Sequence, residues 1–183
     1  MLAACTDLLP PDQTTVATAD LVVLGLAPEA PAPATASFYV LNGATTVRTL
    51  RHADAFSTLY LELRFDPGAL ASLNGTPLAS TDSVLITVTP LTGEYGFTLS
   101  PAGVAFTEGF LPTAVFSFGR YADPSVADGL FASREGYVAA LEVWREVGFD
   151  EWAVAAGSGP AGVDEVRASI EAGGRFWLAA ALQ

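Results

Sequence analysis

From residue 58 to residue 119 the chain alternates apolar and polar positions with a period of two. Leu59, Leu61, Leu63 and Phe65 interleave with Tyr60, Glu62, Arg64 and Asp66, which is the pattern of a strand with one buried and one wet face. Pro67-Gly68 ends it, because Pro removes a donor and Gly permits the turn. Val84, Ile86 and Val88 then face one way, with Leu85, Thr87 and Thr89 opposite. Residues 95–99 and 103–107 flank a second tight turn at Ser100-Pro101-Ala102-Gly103, and Ala114, Phe116 and Phe118 form a further inward set. Short strands with turns at about ten-residue spacing predict a sandwich.

The flanks extend this reading. Ser37-Phe38-Tyr39-Val40-Leu41 precedes Asn42-Gly43, a strong two-residue hairpin signal, and residues 45–51 supply a returning strand. The domain is therefore expected to open with a hairpin near residue 37. Ahead of it, residues 6–36 are rich in Pro, Ala and Thr and read as an extended leader, with residues 20–26 as an added edge strand. Residues 71–82 and 119–136 read as loops. Residues 137–147 fit a helix through Tyr137, Ala140, Leu141, Trp144 and Val147, and also fit a strand. The hairpin-like Gly148-Phe149-Asp150 behind them favours the strand. Val166, Ala168 and Ile170 alternate with Arg167, Ser169 and Glu171, and Gly173-Gly174 turns into a last aromatic strand. The expectation is an all-β protein: one antiparallel β-sandwich of about 8–11 short strands with little helix over residues 37–183, behind a flexible leader at 1–36.

Composition narrows the function. Half of the 183 residues are hydrophobic and 15% are charged, which supports a real core and opposes disorder. The net charge is -12, and all eight bases are scattered arginines. A phosphate backbone or an anionic lipid surface needs clustered cations, so neither is an expected partner. The absence of Lys removes Schiff-base chemistry. Lys, Ile and Asn share AT-rich codons; with no Lys and two each of the others, a GC-rich bacterial genome is the expected source.

Cys5 is the single cysteine, so no internal disulfide can form. Leu2-Ala3-Ala4-Cys5 resembles the lipobox of bacterial lipoproteins, in which the Cys carries a diacylglyceryl anchor. The resemblance implies an extracytoplasmic protein that meets the membrane only through Cys5. The alternative is an idle thiol in a mobile terminus.

Catalytic candidates are sparse. Ser158 lacks the outer glycines of a nucleophile elbow, and the only histidine is His52. One His and one terminal Cys do not make a usual zinc site. Asp123 and Asp128 form a candidate acidic loop for calcium, without EF-hand spacing, against solvated charge as the bland reading. Tyr121, Trp144 and Trp152 form a candidate aromatic surface for stacking on sugars, against sandwich core as the alternative. Trp177 reads as core. No catalytic residue and no cofactor other than calcium is expected.

Phe65-Asp66-Pro67-Gly68-Ala69-Leu70, Ile86-Thr87-Val88, Leu99-Ser100-Pro101 with Phe106, and Pro112 with the strand to Phe118 resemble the ZU-five domain. That β-sandwich occurs in ankyrins, zonula occludens proteins and netrin receptors. The resemblance covers about a third of the chain closely and implies a protein-binding or structural module. Some members cleave themselves at a His-Phe-Ser sequence; here Val115 precedes Phe116-Ser117, so that activity does not carry over. The expected function is a non-enzymatic extracytoplasmic interaction or structural module with a protein or glycan partner at the cell surface. The alternative is a carbohydrate- or calcium-binding module, and an acidic hydrolase ranks last.

Overall fold

The computed structural model describes residues 14–182. Two antiparallel sheets stack face to face, so the protein is an all-β sandwich. The larger sheet runs Thr15–Ala17, Glu151–Val154, Glu142–Gly148, Gly174–Ala181, Gly96–Ser100, Ser83–Pro90 and Ala36–Leu41, with Leu21–Val23 beside the far end of Gly174–Ala181. The smaller sheet runs Gly159–Gly162, Glu165–Ser169, Thr113–Ser117, Leu59–Phe65 and Thr46–Arg51. Two small ribbons flank them: Val104–Phe106 with Leu70–Leu73 and Thr76–Pro77, and Ala122–Asp123 with Gly25–Leu26. Eighteen strand segments occur among the described residues, more than the 8–11 expected, because several are pairings of two or three residues.

The alternating positions meet between the sheets. Leu61, Leu63 and Phe65 point inward with Ala114 and Phe116 from the smaller sheet, against Val84, Ile86, Val88, Phe97 and Phe176 from the larger. Phe97 and Phe116 approach to 5.6 Å, and Phe38 meets Phe65 edge-on at 6.0 Å. These ring contacts cross the sandwich and set the spacing of its layers.

A second core lies on the opposite face of the larger sheet. Leu21, Trp144, Trp152, Trp177 and Ala179 are buried there together. Five adjacent strands, from Thr15–Ala17 to Leu21–Val23, surround them. On a flat sheet the first and fifth strands would stand about 19 Å apart, at ~4.8 Å per spacing. Yet the two are joined by only the 3₁₀ turn Thr18–Asp20, which advances about 2 Å per residue. That end of the sheet must therefore curl back on itself, and the tryptophans fill the curl.

Four expectations change. Residues 15–26 are not linker: Val16 pairs with Trp152, Val23 pairs with Ala179, and Leu24 is fully buried. Their apolar side chains cover the curl, which outweighs the disorder expected of a Pro- and Ala-rich composition. The stretch expected as an edge strand does contain the strand Leu21–Val23. The second change is at residue 42. The strands on either side of Asn42-Gly43 do not pair with each other; one belongs to each sheet. The Asn42 amide turns inward instead, donating to Leu70 O at 2.9 Å and Ala79 O at 3.3 Å and accepting from Leu70 N at 2.9 Å. A buried amide with three partners fixes a crossover between sheets rather than a hairpin. Third, the tight hairpin lies in the stretch 71–82, where Asn74 and Gly75 both have positive φ, 50° and 78°, as a type I′ turn requires.

The fourth change is in 137–147. Arg134–Ala139 is a short helix, and the strand begins at Glu142. The Ser133 hydroxyl caps the helix by accepting from Gly136 N at 3.0 Å. The phenol of Tyr137 donates to Val22 O at 3.1 Å, which ties this turn to the N-terminal strand.

Candidate functional site

The densest polar arrangement lies where Thr46–Arg51 turns into Leu59–Phe65. His52 leaves the first strand and bridges to Pro33. Its Nδ1 lies 2.7 Å from Pro31 O, and its Nε2 is buried without a hydrogen-bond partner among the described residues. The ring rests on aromatic faces and edges, 4.6 Å from Tyr121, 5.4 Å from Tyr60 and 6.5 Å from Tyr95. Two residues on, the Asp54 side chain is only 7% exposed. Its carboxylate accepts from Thr58 N at 2.8 Å, Thr58 Oγ1 at 2.6 Å and Tyr121 Oη at 2.9 Å. The Thr58 hydroxyl bond, aided by its amide, Tyr121 and nearby Arg120, outweighs burial and holds Asp54 well below the usual carboxylate range. Burial and the bond to Asp54 push the Tyr121 phenol up.

Beneath this turn Tyr60 and Tyr95 stack at 5.2 Å. The Tyr60 phenol donates to Gly96 O at 2.6 Å and accepts from Gly96 N at 2.9 Å, so it pins the smaller sheet to the larger. Burial raises the pKa of both phenols, which stay protonated at neutral pH. The Asp54 carboxylate hydrogen-bonds Thr58 and Tyr121, with Arg120 Nε 3.8 Å away, and makes no bond to His52. This is not the hydrogen-bonded acid–histidine–nucleophile chain of a hydrolase. The cluster is a pedestal.

What the pedestal presents is cationic and aromatic. The Arg120 guanidinium lies 4.4 Å from the centroid of Phe56 and 5.4 Å from that of Tyr121, with its Nε 3.8 Å from Asp54. Phe56 is 72% exposed. An Arg fixed on ring faces keeps free donors at its edge, a surface suited to a carboxylate, a carbonyl or a flat apolar group.

The residues singled out by sequence fall in different places. Tyr121 belongs to the pedestal. Asp123 caps the turn Pro124–Ala127 by accepting from Ser125 N and Oγ, and Asp128 pairs with Arg134, whose guanidinium lowers its pKa. The two carboxylates thus serve separate local contacts, and no group of three metal-ligating side chains occurs among the described residues. Trp144 and Trp152 do not form a surface: they are 4% and 1% exposed, because residues 15–23 close over them. Trp177 is buried beside them, as its neighbours implied. Ser158 accepts from Val143 N at 2.7 Å, a structural bond. Cys5 lies outside the described residues. Asp54, Phe56 and Arg120 were not singled out from the sequence; an Asp four residues before Thr at a strand junction was the available signal for an Asp-stabilised turn.

Comparison with family models, with curated proteins and with solved structures returns no match. Among the described residues, no helix is long and apolar enough to cross a membrane.

Proposed function

We propose that this chain is a non-enzymatic extracytoplasmic interaction or structural module, anchored to lipid through Cys5, whose partner is a cell-surface protein. The observation that carries the reading is the exposed Arg120–Phe56 stack on a buried, fully bonded Asp54. Trp, Tyr and Arg are enriched in binding hot spots, and an Arg already held against a ring loses less rotamer freedom on binding than a free one. The side chains suited to catalysis make structural bonds instead: Ser158 to Val143, and the Tyr60 and Tyr137 phenols to backbone. The resemblance to ZU-five modules and the lipobox-like Cys5 support the same reading.

A glycan partner is the second reading, favoured by the exposed Phe56 ring, which offers a flat apolar face to a sugar. Capture from an envelope fraction, run with wild type, Phe56→Ala and Arg120→Ala beside a glycan array, tests both. A protein lost from both variants supports the first reading. A glycan signal that depends on Phe56 supports the second. Identical behaviour of all three proteins removes this surface as the site. Mass spectrometry of the protein purified from envelope membranes tests the anchor; an unmodified Cys5 sinks it.

A further inference from the structure

The larger sheet ends in Ala36–Leu41, whose outer side pairs with no described strand. An open edge presents unpaired backbone donors and acceptors, and proteins blunt such edges with charge, Pro, bulges or brevity. The other edges here carry those devices. Thr15–Ala17 and Val104–Phe106 have three residues each, and Thr76–Pro77 has two. Gly159–Gly162 contains Pro160 and a register shift, and Thr46–Arg51 carries Arg48, Arg51 and a register shift. Ala36–Leu41 has six residues in unbroken register with Ser83–Pro90, and neither strand contains a charged residue.

The charge pattern says which partner fits. The molecule carries -12, yet no Asp, Glu, Arg, Lys or His occurs from Ala30 to Val47 or from Ser83 to Gly93. Two copies would repel over most of their surface and least along this strip. A twofold pairing sets residue i against j and j against i, so a charge at or next to the axis would lie against its own copy. Ala36–Leu41 meets none, whichever residue lies at the axis. Beside the edge, Tyr39, Leu85 and Leu41 are 68%, 48% and 43% exposed, and Tyr39 and Leu85 are direct cross-strand neighbours. Pairing would cover this apolar strip as well as the backbone.

We propose that Ala36–Leu41 pairs antiparallel with the same strand of a second copy, joining two larger sheets into one continuous sheet. This surface is separate from the Arg120–Phe56 stack and does not depend on it. The test is sedimentation velocity of the full chain over roughly the micromolar to submillimolar range, with reductant present so that Cys5 cannot cross-link copies. Wild type should shift from monomer to dimer with concentration, and the amides of residues 36–41 should gain hydrogen-exchange protection in step. Tyr39→Lys and Leu41→Lys each place a charge on the edge and should weaken dimerisation at least roughly tenfold while keeping a cooperative thermal transition. Phe149→Ser, at an exposed turn, and Phe56→Ala should leave it unchanged. A wild type that stays monomeric throughout overturns the proposal. So does a dimer that both Lys variants form as well as wild type, or one whose new protection lies outside residues 36–41.

Discussion

Trp152 and Trp177 stack with ring centroids 3.8 Å apart and 11° between their planes, on strands that are not neighbours in the sheet. Glu142–Gly148 lies between those strands, so the contact spans it from the concave side of the curl. Each indole N–H has a partner: Trp152 donates to Thr18 Oγ1 and Trp177 to Glu94, both at 2.9 Å. The Arg175 guanidinium lies 4.5 Å from the Trp177 centroid. Trp152→Ala should therefore cost about 3–5 kcal/mol, the range for truncating a buried large aromatic. Urea unfolding followed by circular dichroism measures it, and Trp152→Phe should recover part of the loss.

Asn42 holds three backbone groups at once, and two of them belong to Leu70. Asn42→Ala leaves buried donors and acceptors unmet, at about 1–3 kcal/mol for each unpaired group. Asn42→Asp should be worse, because it keeps the acceptor for Leu70 N but sets a carboxylate against two carbonyl oxygens. Equilibrium denaturation ranks the two variants. Stability equal to wild type in both would show that the crossover does not depend on the amide.

Asp54 links stability to pH. Its folded-state pKa is depressed, so below the unfolded value of about 3.9 the unfolded chain binds a proton that the folded chain refuses. The stability it contributes is present above that value and falls away as pH drops below it. In Asp54→Asn that part of the acid dependence should vanish, leaving a shallower slope below about pH 4. Thermal melts of both proteins between neutral pH and strong acid supply the comparison, and parallel acid slopes would contradict it.

The sandwich was legible because its interior strands alternate cleanly. In Val84, Ile86 and Val88, and in Ala114 and Phe116, the period of two corresponds directly to the buried face. What escaped the pattern depends on contacts distant in sequence. Asn42-Gly43 and Asn74-Gly75 are the same dipeptide, and only the second makes a hairpin, because the Asn42 amide finds Leu70 and Ala79 inside the fold. Residues 137–147 divide into helix and strand where Tyr137 finds Val22 O and Trp144 turns into the curl. The three tryptophans carried no local sign that residues 15–23 would cover them. The pedestal shows the same limit: Asp54 and Tyr121 are 67 positions apart, and nothing in either neighbourhood announces the other.

Gly174–Ala181 touches more of the larger sheet than its position in the chain suggests. It pairs with Gly96–Ser100, Glu142–Gly148 and Leu21–Val23, and Leu182 N bonds Asp20 O just past its end. A ribosome makes this strand after every strand it joins. The larger sheet therefore lacks its middle until translation has passed residue 181, and until then Leu21–Val23 waits without its partner. A nascent chain halted a dozen residues earlier would hold the smaller sheet's strands, but it would lack Trp177 and the template that seats Trp144 and Trp152.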